Sequence, residues 1–345
     1  MTDFQIGGRQ GRNVRDHLFI VNGIMQEALS SVKSKPINII IADFQQCFDG
    51  LNLPLACRDL YSSGFKDDKL ALLFDLNRQN KVAVKTTVGM TELFELNQNV
   101  LQGDVFGNVL ASNQIDKFGK KCLENMEHIY MYRNTIPIAP LTMCDDLLII
   151  SECGFKTELV ASYINCQARF NFLQFGLSKC FKMHVGKYKE KYKCTPVFLD
   201  SWKSQEVENK ESGKIQFQEM YMGKTKINEV TSEKYLGNRI DADGTNLLDI
   251  TMKCNRGIGT INKIQNILET MFFGKFYFEI GKTLIESMLL GTLLTNLEVA
   301  HNLTKSEIDK LQKCHEMGLR KLLSLPSKTP IKMLYLFTGS VPIEF

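Results

Sequence analysis

The sequence predicts an α+β protein, with strands and helices interspersed up to about residue 245 and helix throughout after it. Three stretches carry that prediction. The β-branched run Ile37-Asn-Ile-Ile-Ile-Ala42 reads as a central strand buried on both faces, and it ends directly in Asp43. The run Ala139-Pro-Leu-Thr-Met-Cys-Asp-Asp-Leu-Leu-Ile-Ile-Ser151 is apolar on either side of Asp145-Asp146, which suggests a tight hairpin with both carboxylates at or beside its tip. From Leu247 onward, apolar residues recur at three- and four-residue steps, the period of packed helices.

Composition narrows the class. The 345 residues are 44% hydrophobic and 23% charged, an ordinary globular balance that excludes a mainly disordered chain. A net charge of +4 permits a local nucleic-acid patch without arguing for one. None of the ten cysteines forms a C-x-x-C pair, so neither a zinc ribbon nor a redox motif is indicated. Several lie in apolar runs and read as small core residues of a reducing compartment. The opening Met-Thr-Asp-Phe-Gln has neither part of a signal peptide, and the apolar stretch 283–299 is interrupted by Glu286, Asn296 and Glu298. The expectation is a soluble intracellular protein, in cytoplasm or nucleus, with no membrane partner.

In chain order, Gln5 to Asn13 form a Gly- and Arg-rich loop whose Arg9, Arg12 and Arg15 are either phosphate contacts or solvated charges. A helix over 14–32 buries Leu18, Val21, Ile24, Met25, Ala28 and Leu29. Helices are expected at 54–62 and 67–77, a strand at 81–88 with 91–96 as its hairpin partner, and a helix to about residue 123 after the Gln102-Gly103 turn. Beyond the Asp145-Asp146 hairpin come a helix near 156–174 and a turn and strand bearing Lys179 and Lys182. An exposed ribbon or insertion over 187–231 and a strand over 233–240 complete this half. In the helical remainder, Ile258, Ile261, Ile264, Leu268 and Met271 form one stripe. Thr304-Lys-Ser-Glu307 is a capping box, and Pro326 closes the helix it opens.

The acidic residues carry the chemistry. Adjacent like charges repel unless a cation sits with them, and hard divalent metals take carboxylate oxygens. Asp67-Asp68, between Lys66 and Lys69, reads instead as a solvated turn starting a helix, and Asp49 as a structural cap. Asp43 ends a buried strand, where a carboxylate is costly unless paired or metal-bound. Three carboxylates, Asp43, Asp145 and Asp146, with Lys179 close to an anionic substrate, fit phosphoryl transfer by two metal ions.

Together these stretches resemble the reverse transcriptases of non-LTR retrotransposons over nearly the whole chain. Gly7-Gly8-Arg9-Gln10-Gly11-Arg12 with Asp16-His17 is similar to a fingers segment, and Asp43 to Asp49 to the first palm motif. Leu101-Gln102-Gly103 is similar to the motif that packs against template and nucleotide, and Met143-Cys144-Asp145-Asp146 to the paired-aspartate motif. Lys179 falls at the next motif's lysine, and Tyr235-Leu236-Gly237 resembles the hairpin that grips the primer. The chain departs from the pattern at Met143, Cys144, Gly176 and Asp104.

The resemblance implies a right-hand polymerase. Residues 1–36 would be partial fingers, the chain starting inside them; 37–245 an antiparallel-sheet palm with packed helices; and 246–345 an all-helical thumb. It implies two Mg²⁺ or Mn²⁺ ions held by Asp43, Asp145 and Asp146, with Lys179 assisting the leaving pyrophosphate. Arg9, Arg12, Phe48, Gln102 and Gly103 would contact substrate, with Phe48 as the gate against a ribose 2′-OH or an ordinary core aromatic. Its partners would be an RNA template, a DNA primer and dNTPs. The alternative is a catalytically inactive nucleic-acid-binding remnant. A metal-dependent nuclease or phosphatase has no use for the Gln102-Gly103 or Tyr235-Leu236-Gly237 stretches.

Overall fold

The computed structural model describes residues 2–30, 34–45, 47–48, 50–78, 80–96, 106–124, 129–152, 154–186, 196–208, 215–271, 276–300 and 302–343. The chain divides into two compact units, Met1–His17 with Ile24–Thr231, and Leu18–Gly23 with Ser232–Phe345. The second unit therefore takes in the stretch from Ser232, ahead of the division near 245 suggested by the change to helix.

Helix α1 (Val14–Ser30) supplies residues to both units and buries Leu18, Val21, Ile24, Met25 and Ala28, as its period predicts, while Leu29, expected on the same face, is half-buried. Strand β1 (Ile37–Asp43) follows, then α2 (Leu53–Ser62) and α3 (Asp68–Asn77). Asn52 caps α2, its Oδ1 accepting from Leu55 N at 3.0 Å, with Pro54 in the first turn. Asp49 lies outside the described residues.

Strands β2 (Asn80–Val82), β3 (Lys85–Thr86), β4 (Gly89–Met90) and β5 (Phe94–Leu96) form two antiparallel pairs, β2–β5 and β3–β4. A hairpin thus forms where the alternation suggests one, but each arm is broken in two. Next come α4 (Gly107–Glu124), β6 (Tyr130–Tyr132), β7 (Ile136–Ile138), β8 (Leu141–Met143), β9 (Asp146–Glu152) and α5 (Phe155–Phe170). The first unit ends with β10 (Phe181–Val185), β11 (Phe198–Glu208), β12 (Ile215–Lys226) and β13 (Asn228–Val230). Among the described residues β11 and β12 pair only with each other, as an antiparallel ribbon.

The main sheet runs in the order β13-β10-β1-β9-β8. β1 lies between β9 and β10 and is antiparallel to both, while β13 joins β10 in parallel. A continuous apolar run suits that inner position because both its faces are covered. Ile40, Phe44, Leu147, Ile149, Ile164 and Phe175 belong to one core cluster with it; burying each such side chain contributes about 1.5–3 kcal/mol. Asn38 interrupts the run and is buried, with a partner at each end of its side-chain amide. Its amide donates to Thr157 Oγ1 at 2.9 Å, and its Oδ1 lies 3.1 Å from His184 Nδ1.

The second unit begins with a hairpin, β14 (Ser232–Tyr235) and β15 (Asn238–Asp241), where the residue pattern alone suggests one strand. Helices α6 (Leu247–Met271), α7 (Phe276–Leu284), α8 (Gly291–Leu294), α9 (Lys305–Leu322) and α10 (Ile331–Thr338) follow, with a π-helical stretch over Ile285–Leu290 between α7 and α8. Ile261, Ile264, Leu268, Leu289, Leu311 and Leu319 sit in its core. Ile258, expected on the same stripe, is exposed. The capping box at Thr304 and Glu307 forms in both directions. Among the described residues no helix is long and apolar enough to cross a membrane.

Candidate active site

Strand register brings two carboxylates side by side. Asp43, the last residue of β1, is the direct cross-strand partner of Asp146, the first residue of β9. Met143 pairs with Asp146, so Cys144 and Asp145 alone make the turn from β8 to β9. Cys144 bends the chain with φ +54, a left-handed conformation usually left to Gly or Asn. Asp145 is thus on the tip and Asp146 one step inside the sheet.

Like charges directly opposite in a sheet repel, and Lys179 relieves them. Its Nζ lies 3.0 Å from Asp43 Oδ2, and the hydrogen bond to Asp43, then that carboxylate's charge, push the lysine pKa above its ordinary value. Lys179 sits in a 3₁₀ turn, Leu177–Lys179, before β10 rather than on the strand. Lys182 is on the strand but buried, with Nζ 3.1 Å from Glu229 Oε2, so it is committed there. The set of carboxylates suits a hard cation in kind and in register. Among the described residues, however, no three His, Cys, Asp or Glu side chains are gathered as a ready metal-binding group.

The segment after α5 fixes Asp43 from behind. Gly176 N donates to Asp43 O at 2.8 Å and Gln45 N to Gln174 O at 2.8 Å, while the rings of Phe44 and Phe175 stack with centroids 5.0 Å apart. A Cβ at Gly176 would stand 3.1 Å from Asp43 Oδ2, a tight approach to the site carboxylate. Two buried thiols lie under the carboxylates. Burial, reinforced by the charge of Asp145, Cys144 and Asp43, pushes Cys47 up to about 12. Burial likewise takes Cys180, whose Sγ donates to Asp43 O at 3.8 Å, up to about 11. Both stay neutral and add no negative charge to the site.

Sequence reasoning missed Gln5. Its side chain is fully buried, its Oε1 accepting from Gly7 N at 2.8 Å and from Cys144 N at 3.4 Å, and its Nε2 donating to Ser112 O at 3.4 Å. One amide therefore ties the glycine loop and α4 to the turn that carries Asp145. The neighbouring backbone runs along β8, with Thr142 N donating to Phe4 O at 2.9 Å and Ile6 N to Thr142 O at 3.1 Å. No local pattern announces such a residue; the only signal is a glutamine inside an otherwise loop-like Gly-Arg segment.

The remaining candidates divide. Arg9 donates to Thr2 O and Gln5 O and so closes its own loop, while Arg12 pairs with Asp3. Phe48 is half-buried and packs against the core of the first unit. Gln102, Gly103 and Asp104 lie outside the described residues. Tyr235 is buried, and Leu236 and Gly237 form the turn between β14 and β15 in the second unit.

The fold matches telomerase from Candida albicans, solved in complex with a TWJ fragment of telomeric RNA. The TM-score is 0.52 at 10% identity, over 98% of this chain and 54% of that one. At that identity the likeness is one of fold. Telomerase from Candida tropicalis also matches, in complex with a TWJ fragment (TM-score 0.45, 11% identity, 98% of this chain and 53% of that) and in its apo form (0.44, 12%, 93% and 47%). The chain spans about half the length of these telomerase chains. No family model matches it, and no curated protein matches its sequence.

Proposed function

We propose that the chain is an RNA-directed DNA polymerase of the non-LTR retrotransposon kind, extending a DNA primer on an RNA template. The observation that carries this reading is the register of Asp43 against Asp146, beside a turn that bears Asp145 and within reach of Lys179. Asp43 and Asp145, with Asp146 beside them, would hold Mg²⁺ or Mn²⁺, which lowers the pKa of a primer 3′-OH and neutralises triphosphate charge. In the reaction the primer 3′-oxygen bonds to the α-phosphorus, the α–β bridge breaks, and pyrophosphate leaves. Lys179, exposed and already protonated against Asp43, turns to the departing pyrophosphate and gives it a proton or its charge.

On this reading residues 37–245 act as palm and 246–345 as thumb, with the first 36 residues as part of the fingers. Phe48 limits room beside the sugar, Gln102-Gly103 backs the template, and Tyr235-Leu236-Gly237 grips the primer. Arg9 and Arg12 would contact substrate from the loop, Arg9 from bonds to the loop's own carbonyls and Arg12 from its pair with Asp3. A second reading, nucleic-acid binding without polymerisation, draws on the engagement of Lys179 with Asp43.

The test is incorporation of dTTP on poly(A)/oligo(dT) with Mg²⁺. Asp145→Asn is expected to lower the rate by about a thousandfold or more, roughly 4 kcal/mol of lost transition-state stabilisation. Robust extension by that variant sinks the assignment. Salt-sensitive duplex binding by the native chain with no incorporation establishes the second reading instead.

A further inference from the structure

We propose that the first unit carries a second nucleic-acid contact, a groove around Phe170 that takes single-stranded nucleic acid. The groove is two clefts that share one ring. The first, about 350 Å³, lies among α2, α4 and α5 and is lined by Arg58, Lys117, Lys120, Lys121 and Phe170. The second, about 470 Å³, is lined by Arg169, Lys224 and, again, Phe170. No lining residue of either belongs to the Asp43–Asp145–Asp146 group.

Charge points to an anionic occupant. In the first cleft Arg58 and Lys117 share a single buried carboxylate, Asp59, while Lys121 leans on Glu124 at 2.6 Å and Lys120 on Asp116 at 3.5 Å. Four cations thus meet three carboxylates, Asp59 and Glu124 in the lining and Asp116 behind it, an excess of one positive charge. Among the described lining residues of the second, Arg169 and Lys224 stand with Asp200, which Arg169 meets at 2.6 Å.

The rings decide which anion. Phe170, the ring both clefts share, is 72% exposed and precedes buried Asn171, whose O is anchored by Gln114 Nε2 at 3.0 Å; Phe172, 63% exposed, lies outside both linings. Exposed phenylalanine faces gain little from a run of acidic side chains. A base stacks on such a face while flanking phosphates meet lysine and arginine, the usual pairing of contacts to single strands. A duplex hides its base faces, so the groove selects unpaired nucleotides.

The inference stands apart from polymerisation and is tested by binding alone. A labelled oligouridylate is titrated onto the full chain by fluorescence anisotropy, with excess unlabelled blunt duplex present to occupy any template-primer site. Phe170→Ala is expected to weaken binding about tenfold. Lys121→Glu should weaken it and flatten the dependence of log K on log salt by about 0.7 or more, while Phe170→Trp keeps the native affinity. Both positions are exposed, and circular dichroism confirms the fold of each variant. Unchanged affinity in folded Phe170→Ala and Lys121→Glu overturns the proposal. So does displacement of the RNA by polyglutamate as readily as by unlabelled oligouridylate, which marks a generic anion surface.

Discussion

The two hairpins that carry the most suggestive motifs solve the same backbone problem in opposite ways. Leu236 and Gly237 both adopt positive φ, +46 and +89, and a Cβ on Gly237 would meet nothing within 4 Å. That turn takes its shape from its own residues, with glycine in one of the two left-handed positions. The Cys144-Asp145 turn has no glycine. Cys144 takes φ +54 because Gln5 accepts its N–H and Gly7 leaves room for it. One turn is specified locally, and the other by residues far away in the sequence. Strain held by distant contacts aims a side chain more rigidly than a turn that is locally relaxed.

Acid separates the two most sharply. His17 is buried, with its Nε2 2.9 Å from Phe4 O, the same carbonyl that accepts from Thr142 beside the Asp145 turn. Burial pushes its pKa down to about 4 against the upward pull of that hydrogen bond and Asp16. The unfolded chain therefore binds the proton first. Stability is intact above the unfolded value near 6.5 and is lost as pH falls toward 4, about 3 kcal/mol in all. Asp241, at the end of β15, has its carboxyl pKa raised, chiefly by burial, so its contribution has the opposite sign and acid relieves it. Urea midpoints at neutral pH and near pH 4 should show a loss in the native chain that His17→Gln largely removes. Equal acid sensitivity in the two proteins would place the loss elsewhere.

Glycine substitution probes the same contrast. Alanine at Gly7 would put its Cβ 2.7 Å from Cys144 N and 2.8 Å from Cys144 Sγ, a clash with backbone that cannot swing aside. The expected cost is about 2 kcal/mol. Gly237→Ala meets open space and has only the left-handed backbone to bear, a cost of about 1 kcal/mol. Urea denaturation ranks them, and a larger loss at Gly237 would reverse the account of which turn depends on its surroundings. Extension by Gly7→Ala should fall further than its stability loss alone explains, because the clash bears on the residue preceding Asp145.

What the sequence shows and hides follows the same division. The inner position of β1, the helix faces and the Thr304 capping box come from period and local chemistry, and those are written residue by residue. The hairpin around Asp145-Asp146 was legible because apolar runs flank it. That Asp146, not Asp145, stands opposite Asp43 depends on which residues make the turn. With no glycine to mark it, the pattern could not decide. Gln5, Cys47 and Cys180 lie beneath or behind the carboxylates through contacts with partners distant in the chain, and nothing around them in sequence says so. The break at Leu236-Gly237 is different: the residue pattern reads as one run, and only the family resemblance names a hairpin there.

The smallest expected effect is the most discriminating. Cys144→Gly removes the steric cost of a left-handed cysteine, about 1 kcal/mol, but adds freedom to the unfolded chain that cancels part of it. A net gain of a few tenths of a kcal/mol in stability is expected, with the Gln5 hydrogen bond retained because it uses the backbone N–H. The same substitution loosens the torsions that aim Asp145. Melting temperature should therefore edge up while the primer-extension rate falls several-fold, with little change in primer affinity. Asn134→Gly is the control: it relieves a left-handed residue (φ +58) in the β6–β7 turn, outside the proposed site, so any gain in stability should leave the chemical step untouched. If Cys144→Gly raises both stability and rate, the strained turn serves no aiming role, and the two hairpins differ only in how they were assembled.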